Sequence, residues 1–113
     1  MIFFDFEGVS ISPQARPILE RVVSDWRSGL IGDLVVEGHS DTAHRADQSM
    51  DISRQRAWAT HDFFVEAGIP SQSIRVRYFG EESPLVATSD EVREPQNRRV
   101  EISVRPRGEE TSR

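Results

Sequence analysis

Apolar positions along this chain follow two rhythms, a period of two and a period near 3.6, and the switches between them mark out four strands and two helices. Residues 2–6 are apolar and aromatic except for Asp5 and read as a short strand. Ser12-Pro13 then opens a helix, with Ser12 as N-cap and Pro13 at its first position. Ala15, Leu19, Val22, Val23 and Trp26 fall at helical spacing and form its buried face. Pro17 is expected to remove one hydrogen bond early in this helix, and Gly29 to end it. Residues 33–38 read as a second strand, in which Leu34, Val35 and Val36 make a buried run. A polar loop is predicted over 40–49, then a second helix over 50–67. Gly68 supplies a left-handed cap for that helix, Ile69 the accompanying apolar contact and Pro70 the stop. Residues 74–79 alternate Ile74, Val76 and Tyr78 with Arg75 and Arg77, as a half-buried strand does. After a turn at 80–84 and a polar connector, Val100, Ile102 and Val104 alternate with Arg99, Glu101 and Ser103 in a last strand.

The order β-α-β-α-β-β predicts an α+β fold, a two-layer sandwich of a mixed four-stranded sheet with two main helices packed on one face. Strand order within the sheet does not follow from this pattern. One domain is expected over 1–104, with 105–113 a charged, flexible tail.

Composition narrows the chemistry. A net charge of -5 argues against nucleic acid as a partner, because a polyphosphate needs a basic face. There is no cysteine, so thiolate catalysis, disulfides and thiolate metal sites are excluded. All fourteen basic residues are arginine, which excludes a Schiff-base lysine and a P-loop lysine. No apolar run approaches the roughly 18 residues of a membrane span. The start of the chain has no basic n-region and only a three-residue apolar stretch, so an export signal would have to lie upstream of Met1.

The second helix holds the residue that fits least well. Ser53, Ala57, Thr60, Phe64 and Ala67 share one face, and Arg56 borders it, where a guanidinium needs an anionic partner. Asp41 follows the end of the second strand, a place where carboxylates in α/β layers often meet ligands. Spacing alone leaves two readings open: Asp41 and Arg56 hold a ligand, or they pair with each other or cap loops.

Five segments carry a family resemblance. Val36-Glu37-Gly38-His39-Ser40-Asp41 resembles the GHTD motif of the OmpA/MotB/Pal C-terminal domain family, and Ile52-Ser53-Arg54-Gln55-Arg56-Ala57 its L-S-x-x-R-A helix motif. Tyr78-Phe79-Gly80-Glu81-Glu82-Ser83-Pro84 is similar to the family's GYGESxP turn, and Asn97-Arg98-Arg99-Val100-Glu101-Ile102 to its NRRVEI closing strand. Phe3-Phe4-Asp5-Phe6 with Ile11-Ser12-Pro13 matches its opening strand and helix start. The resemblance runs over about residues 2–104 with the motifs in order.

It implies non-covalent binding of peptidoglycan through the diaminopimelate of the stem peptide, anchoring an envelope protein in the periplasm of a Gram-negative bacterium. It implies no enzyme activity, no cofactor and no metal, and it is compatible with a homodimer. The aspartate and arginine that hold diaminopimelate in the family map onto Asp41 and Arg56. The ligand's side-chain end carries an ammonium and a carboxylate on one carbon, which suit an aspartate acceptor and an arginine fork. Ser40 keeps the hydroxyl of the motif threonine, and Ile52 replaces the motif leucine as a pocket wall. Three positions depart from the pattern. Glu7 stands where Asn or Asp often reaches the ligand, Ser49 where many members have asparagine, and His44 where glycine is usual.

Other chemistries are poorly supported. Gly38-His39-Ser40-Asp41-Thr42 imitates a nucleophile elbow, but Thr42 replaces its second glycine. His39, Asp41 and His44 match no zinc spacing. His39 is expected to be a strand-end histidine with a satisfied hydrogen bond, and His61 to be solvated. Trp58 lies four residues after Arg54, the spacing of a cation–π pair. The competing function is a protein–protein interaction module of an envelope complex, without wall binding, using a patch at Trp58 and Val65.

Overall fold

The computed structural model describes residues 1–4, 8–40, 46–80 and 99–106, with 46 and 47 described by their backbone alone. In chain order the elements are β1 (Ile2–Phe3), α1 (Arg16–Arg27), β2 (Ile31–Gly38), α2 (Ala46–Glu66), a single 3-10 turn at Ser71–Ser73, β3 (Ile74–Tyr78) and β4 (Arg99–Pro106). The sheet order is β1-β4-β2-β3. Strands β2 and β3 run parallel, with Val36 opposite Val76, and α2 is the crossover that a parallel pair requires. Strand β4 enters between β1 and β2, antiparallel to both, with Val36 opposite Ile102 and Ile2 opposite Val100. This is the expected α+β architecture with a mixed four-stranded sheet.

Because side chains alternate along a strand, Leu34, Val36, Val100 and Ile74 share one face of the sheet. They bury against Leu19 and Val23 of α1 and Ala57 and Phe64 of α2 in one apolar core. Side chains as fully buried as Leu34, Phe64 and Ile69 contribute about 1.5–3 kcal/mol each. The other face is a charge ladder, with Glu37 opposite Arg77 on one side and Glu101 on the other.

Several boundaries differ from those the sequence suggests. Helix α1 begins at Arg16; Ser12 starts the preceding turn, its hydroxyl and carbonyl both accepting from the Ala15 amide at 3.1 Å. Pro17 therefore sits in the first turn of the helix, where its missing N–H has no intrahelical acceptor to lose. The expected blemish is a helix start. Gly29 ends α1 as expected, with φ +83° and the Leu30 amide donating to the Asp25 carbonyl. Strand β2 begins two residues earlier than predicted, at Ile31, and α2 four residues earlier, at Ala46. The first turn of α2 has no apolar periodicity to announce it. Its end is as predicted, with Gly68 at φ +110° and Ile69 buried, the Ile69 amide donating to the Phe64 carbonyl. Arg105 and Pro106, expected in the tail, complete β4, with Pro106 opposite Ile31; residues 107–113 lie outside the described residues.

Two side chains on α2 also differ from expectation. His61 is buried, its ring nitrogens 3.0 Å from Asp62 Oδ1 and 2.9 Å from Ser71 Oγ. Trp58 meets the His61 ring edge-on at 4.7 Å between centroids, while Arg54 pairs with Asp51.

Candidate functional site

Three chain segments converge where β2 and β3 end over the N-terminal half of α2. Gly38, the last residue of β2, permits this approach. A Cβ there would lie under 3.0 Å from the Ser53 carbonyl oxygen, so a side chain would push helix and strand apart. Beyond the strand ends, the Phe79 amide donates to the Gly38 carbonyl at 3.0 Å, and the Ser40 amide donates to the Gly80 carbonyl at 2.8 Å. Gly80 has φ +59°, a left-handed conformation that favours glycine, and lies against Met50 at the start of α2. Its amide donates to Ser53 Oγ at 2.9 Å, and the Ser53 hydroxyl donates to the Met50 carbonyl at 2.8 Å.

Arg56 lies one turn further along α2 and is fully buried rather than at the border of the apolar stripe. Its Nε donates to the Gly8 carbonyl at 2.7 Å and its Nη1 to the His39 carbonyl at 3.0 Å. The guanidinium carbon stands 5.2 Å from the centroid of the Phe4 ring. A buried cation needs hydrogen-bond partners, and two of Arg56's are backbone carbonyls from segments far apart in sequence. Those bonds fix the plane of the guanidinium and join the chain after β1 to the end of β2.

The remaining predicted residues fall as follows. Ser40 is buried, and its Oγ has no hydrogen-bond partner. Ser49 is fully buried in the first turn of α2, and Ile52 is half-buried. Asp41 and Glu7 lie outside the described residues, as does His44. Thus Arg56, Ser40 and Ser49 gather at one junction with Ile52 on the same helix. Composition and spacing missed Ser53 and Gly80, whose hydrogen bonds hold this junction together. The available signal was Ser53 itself, three residues before Arg56 on the same helix face.

His39 behaves differently from expectation. Its ring nitrogens are buried without hydrogen-bond partners; the ring stacks on Phe79 at 5.3 Å, and Nε2 is 3.8 Å from Glu101 Oε2. Burial, reinforced by the Arg99 guanidinium and opposed by Glu101, lowers its pKa to about 4, so the ring is neutral at pH 7. Arg99, also buried, donates to Glu101 Oε2 from Nε at 2.7 Å and lies 2.6 Å from it through Nη2.

A cleft of about 530 Å³ between α1 and the C-terminal half of α2 is lined by Arg16, Val23, Arg27, Phe63 and Glu66 among others. None of the described site residues lines it. Among the described residues there is no cluster of His, Asp or Glu able to hold a metal, and no helix is long and apolar enough to cross a membrane.

Known proteins share this fold. The fold matches the crystal structure of the peptidoglycan-associated lipoprotein from Burkholderia pseudomallei with a TM-score of 0.83, at 21% identity over 92% of this chain and 88% of that one. It also matches the cell wall anchor of the T6SS from Pseudomonas aeruginosa with a TM-score of 0.72, at 26% identity over 90% of this chain and 73% of that one. In sequence, the peptidoglycan-associated lipoprotein of Rhizobium meliloti is 31% identical over 100 residues, 88% of this chain and 56% of that protein. The chain spans between 29% and 59% of the length of such curated relatives. The sequence model of the OmpA family matches residues 3–98, which takes in both helices, β2, β3, the Gly38–Ser53 contact and Arg56; the chain belongs to the OmpA family.

Proposed function

We propose that this domain anchors an envelope protein to the cell wall by binding peptidoglycan non-covalently, through the diaminopimelate of the stem peptide. The family is one of structural, non-enzymatic domains. Relatives named for association with peptidoglycan and for wall anchoring support the general reading and a place in the Gram-negative envelope.

The observation that carries the finer reading is the setting of Arg56. Its two backbone hydrogen bonds go to Gly8, the residue after Glu7, and to His39, two residues before Asp41. The arginine is thus tied to both segments that bear the proposed acidic ligands. In this reading Asp41 accepts from the ammonium of diaminopimelate and the Nη end of Arg56 holds its carboxylate, while Ser40, Ser49 and Ile52 complete the pocket with Glu7 at its margin. Charge-assisted contacts of this kind are worth about 1.5–3 kcal/mol each.

The test is co-sedimentation with purified diaminopimelate-type sacculi, followed by calorimetric titration with the released stem peptide. Binding without release of muropeptides and unaffected by a chelator is the expected result. Asp41→Asn keeps the shape but removes the charge, and should weaken binding about tenfold with folding little changed. A second reading rests on Trp58 and Val65, seven residues apart on α2 and 43% and 38% exposed, as a protein-contact patch. Failure to sediment with sacculi would favour that reading over wall binding.

A further inference from the structure

Arg56 and the chain that leads into Asp41 belong to different elements, and a two-point site works only if their separation is held. Ser53 is fully buried, and its hydroxyl closes a relay across three elements. It donates to the Met50 carbonyl within α2 at 2.8 Å and accepts the Gly80 amide beyond β3 at 2.9 Å. Gly80 in turn accepts the Ser40 amide beyond β2 at 2.8 Å. The Ser53 carbonyl meanwhile faces Gly38 across a gap with no room for a Cβ. Three residues further along the helix, Arg56 holds the His39 carbonyl at 3.0 Å. The end of β2 is therefore gripped twice by α2, directly by Arg56 and through Gly80 by Ser53.

We propose that Ser53 is a positioning residue of the peptidoglycan site, setting the place of the β2 end relative to Arg56 through the Ser53–Gly80–Ser40 hydrogen-bond relay. The proposal rests on the diaminopimelate reading above. Ser53 touches no ligand; it determines where the residues that do so can stand. Apolar packing alone would leave the turn at Gly80 without a partner for its buried amide, and a buried donor without a partner opens readily to water.

Ser53→Ala removes the relay without adding bulk. The control is Val23→Ala, a core truncation on α1 that lowers stability without touching the relay. Two quantities are measured on all three proteins: amide hydrogen exchange at Gly80 and Ser40 by NMR, and affinity for a stem tripeptide ending in diaminopimelate. In Ser53→Ala the Gly80 amide should exchange at least tenfold faster and peptide affinity should fall about tenfold. Val23→Ala, matched or exceeded in lost urea stability, should stay within twofold of wild type in both. Ser53→Ala binding within twofold of a wild type that itself binds would overturn the positioning role alone. An equal loss in Val23→Ala would also overturn it, by tracing the effect to global stability. A wild-type protein that does not bind the tripeptide withdraws the diaminopimelate reading and this proposal with it.

Discussion

Gly38 and Ser53 approach so closely that a single methyl group at residue 38 would collide with the Ser53 carbonyl oxygen. The obstacle is helix backbone, which cannot rotate aside as a flexible side chain would. Overpacking a core usually costs about 1–3 kcal/mol, and a backbone obstacle places Gly38→Ala toward the upper end. Urea denaturation of Gly38→Ala is expected to show a loss of about 2–3 kcal/mol, with binding to sacculi reduced because α2 carries Arg56 away from β2. A variant as stable as wild type to within 0.5 kcal/mol would mean that the helix and strand are not in this contact.

Much of this frame could be read from residues before any coordinates. Alternation marks β3 and β4, apolar runs mark β2 and a first strand that proves shorter than the expected 2–6, and Gly68-Ile69-Pro70 marks the end of α2, because those signals are local and tied to backbone conformation. The start of α2 was not legible. Its first turn carries no apolar periodicity in sequence, and several of the helix's buried positions are polar, with Ser49, Ser53, Arg56 and Thr60 all fully buried. Hydrophobic periodicity is blind to a helix that buries small hydroxyls and a cation. The insertion of β4 between β1 and β2 was equally out of reach, since pairing is a non-local choice that strand patterns do not encode. For the proposed site, motif resemblance points to Arg56, whereas its anchors, the carbonyls of Gly8 and His39, emerge only in the fold. Backbone acceptors carry no side-chain signature.

His39 gives stability a pH dependence. Its folded pKa of about 4 lies below the ordinary histidine value of 6.5, so the unfolded chain binds more protons between these values. Stability therefore rises with pH across that window, is complete above about 6.5, and falls as pH drops toward 4. The shift corresponds to about 3 kcal/mol at most for a side chain this buried. Replacing His39 by Asn should flatten the limb between pH 4 and 6.5 in urea titrations. NMR titration of the wild type should show the His39 ring still neutral at pH 5. A ring that protonates near 6.5 would show that it is solvated.

Ser40 separates stability from binding. Its hydroxyl is buried without a partner, an arrangement that costs the folded state about 1–3 kcal/mol relative to a satisfied group. Ser40→Ala should thus hold or gain up to about 1 kcal/mol in stability. Affinity for the stem peptide should fall if the hydroxyl meets the ligand as proposed, making this a variant that is firmer and binds less. A stability loss above 1 kcal/mol would reveal a hydrogen bond at Ser40 and remove the reason to assign its hydroxyl to the ligand.

Arg56→Lys distinguishes a shaped recognition from simple charge neutralisation. Lysine keeps the positive charge but replaces a planar fork of five N–H donors with a single point of three. It cannot serve Gly8 and His39 from the same positions as Nε and Nη1, so a stability loss of about 1–3 kcal/mol is expected alongside the binding effect. Binding is therefore measured below the unfolding transition, as a ratio between two ligands that the same folded protein meets. A diaminopimelate peptide presents both ammonium and carboxylate, whereas a lysine-type peptide keeps the ammonium and lacks the carboxylate. With the wild type, the lysine-type peptide leaves the group that reads the carboxylate without its anion, and affinity should fall at least tenfold. In Arg56→Lys the diaminopimelate peptide should lose about tenfold while the lysine-type peptide loses little, so the preference narrows toward one. Because the ratio is taken within each protein, a general loosening of the fold cancels and a lost carboxylate contact does not. Equal affinity of the wild-type domain for the two peptides would return Arg56 to a structural role, holding Gly8 to His39 and nothing more.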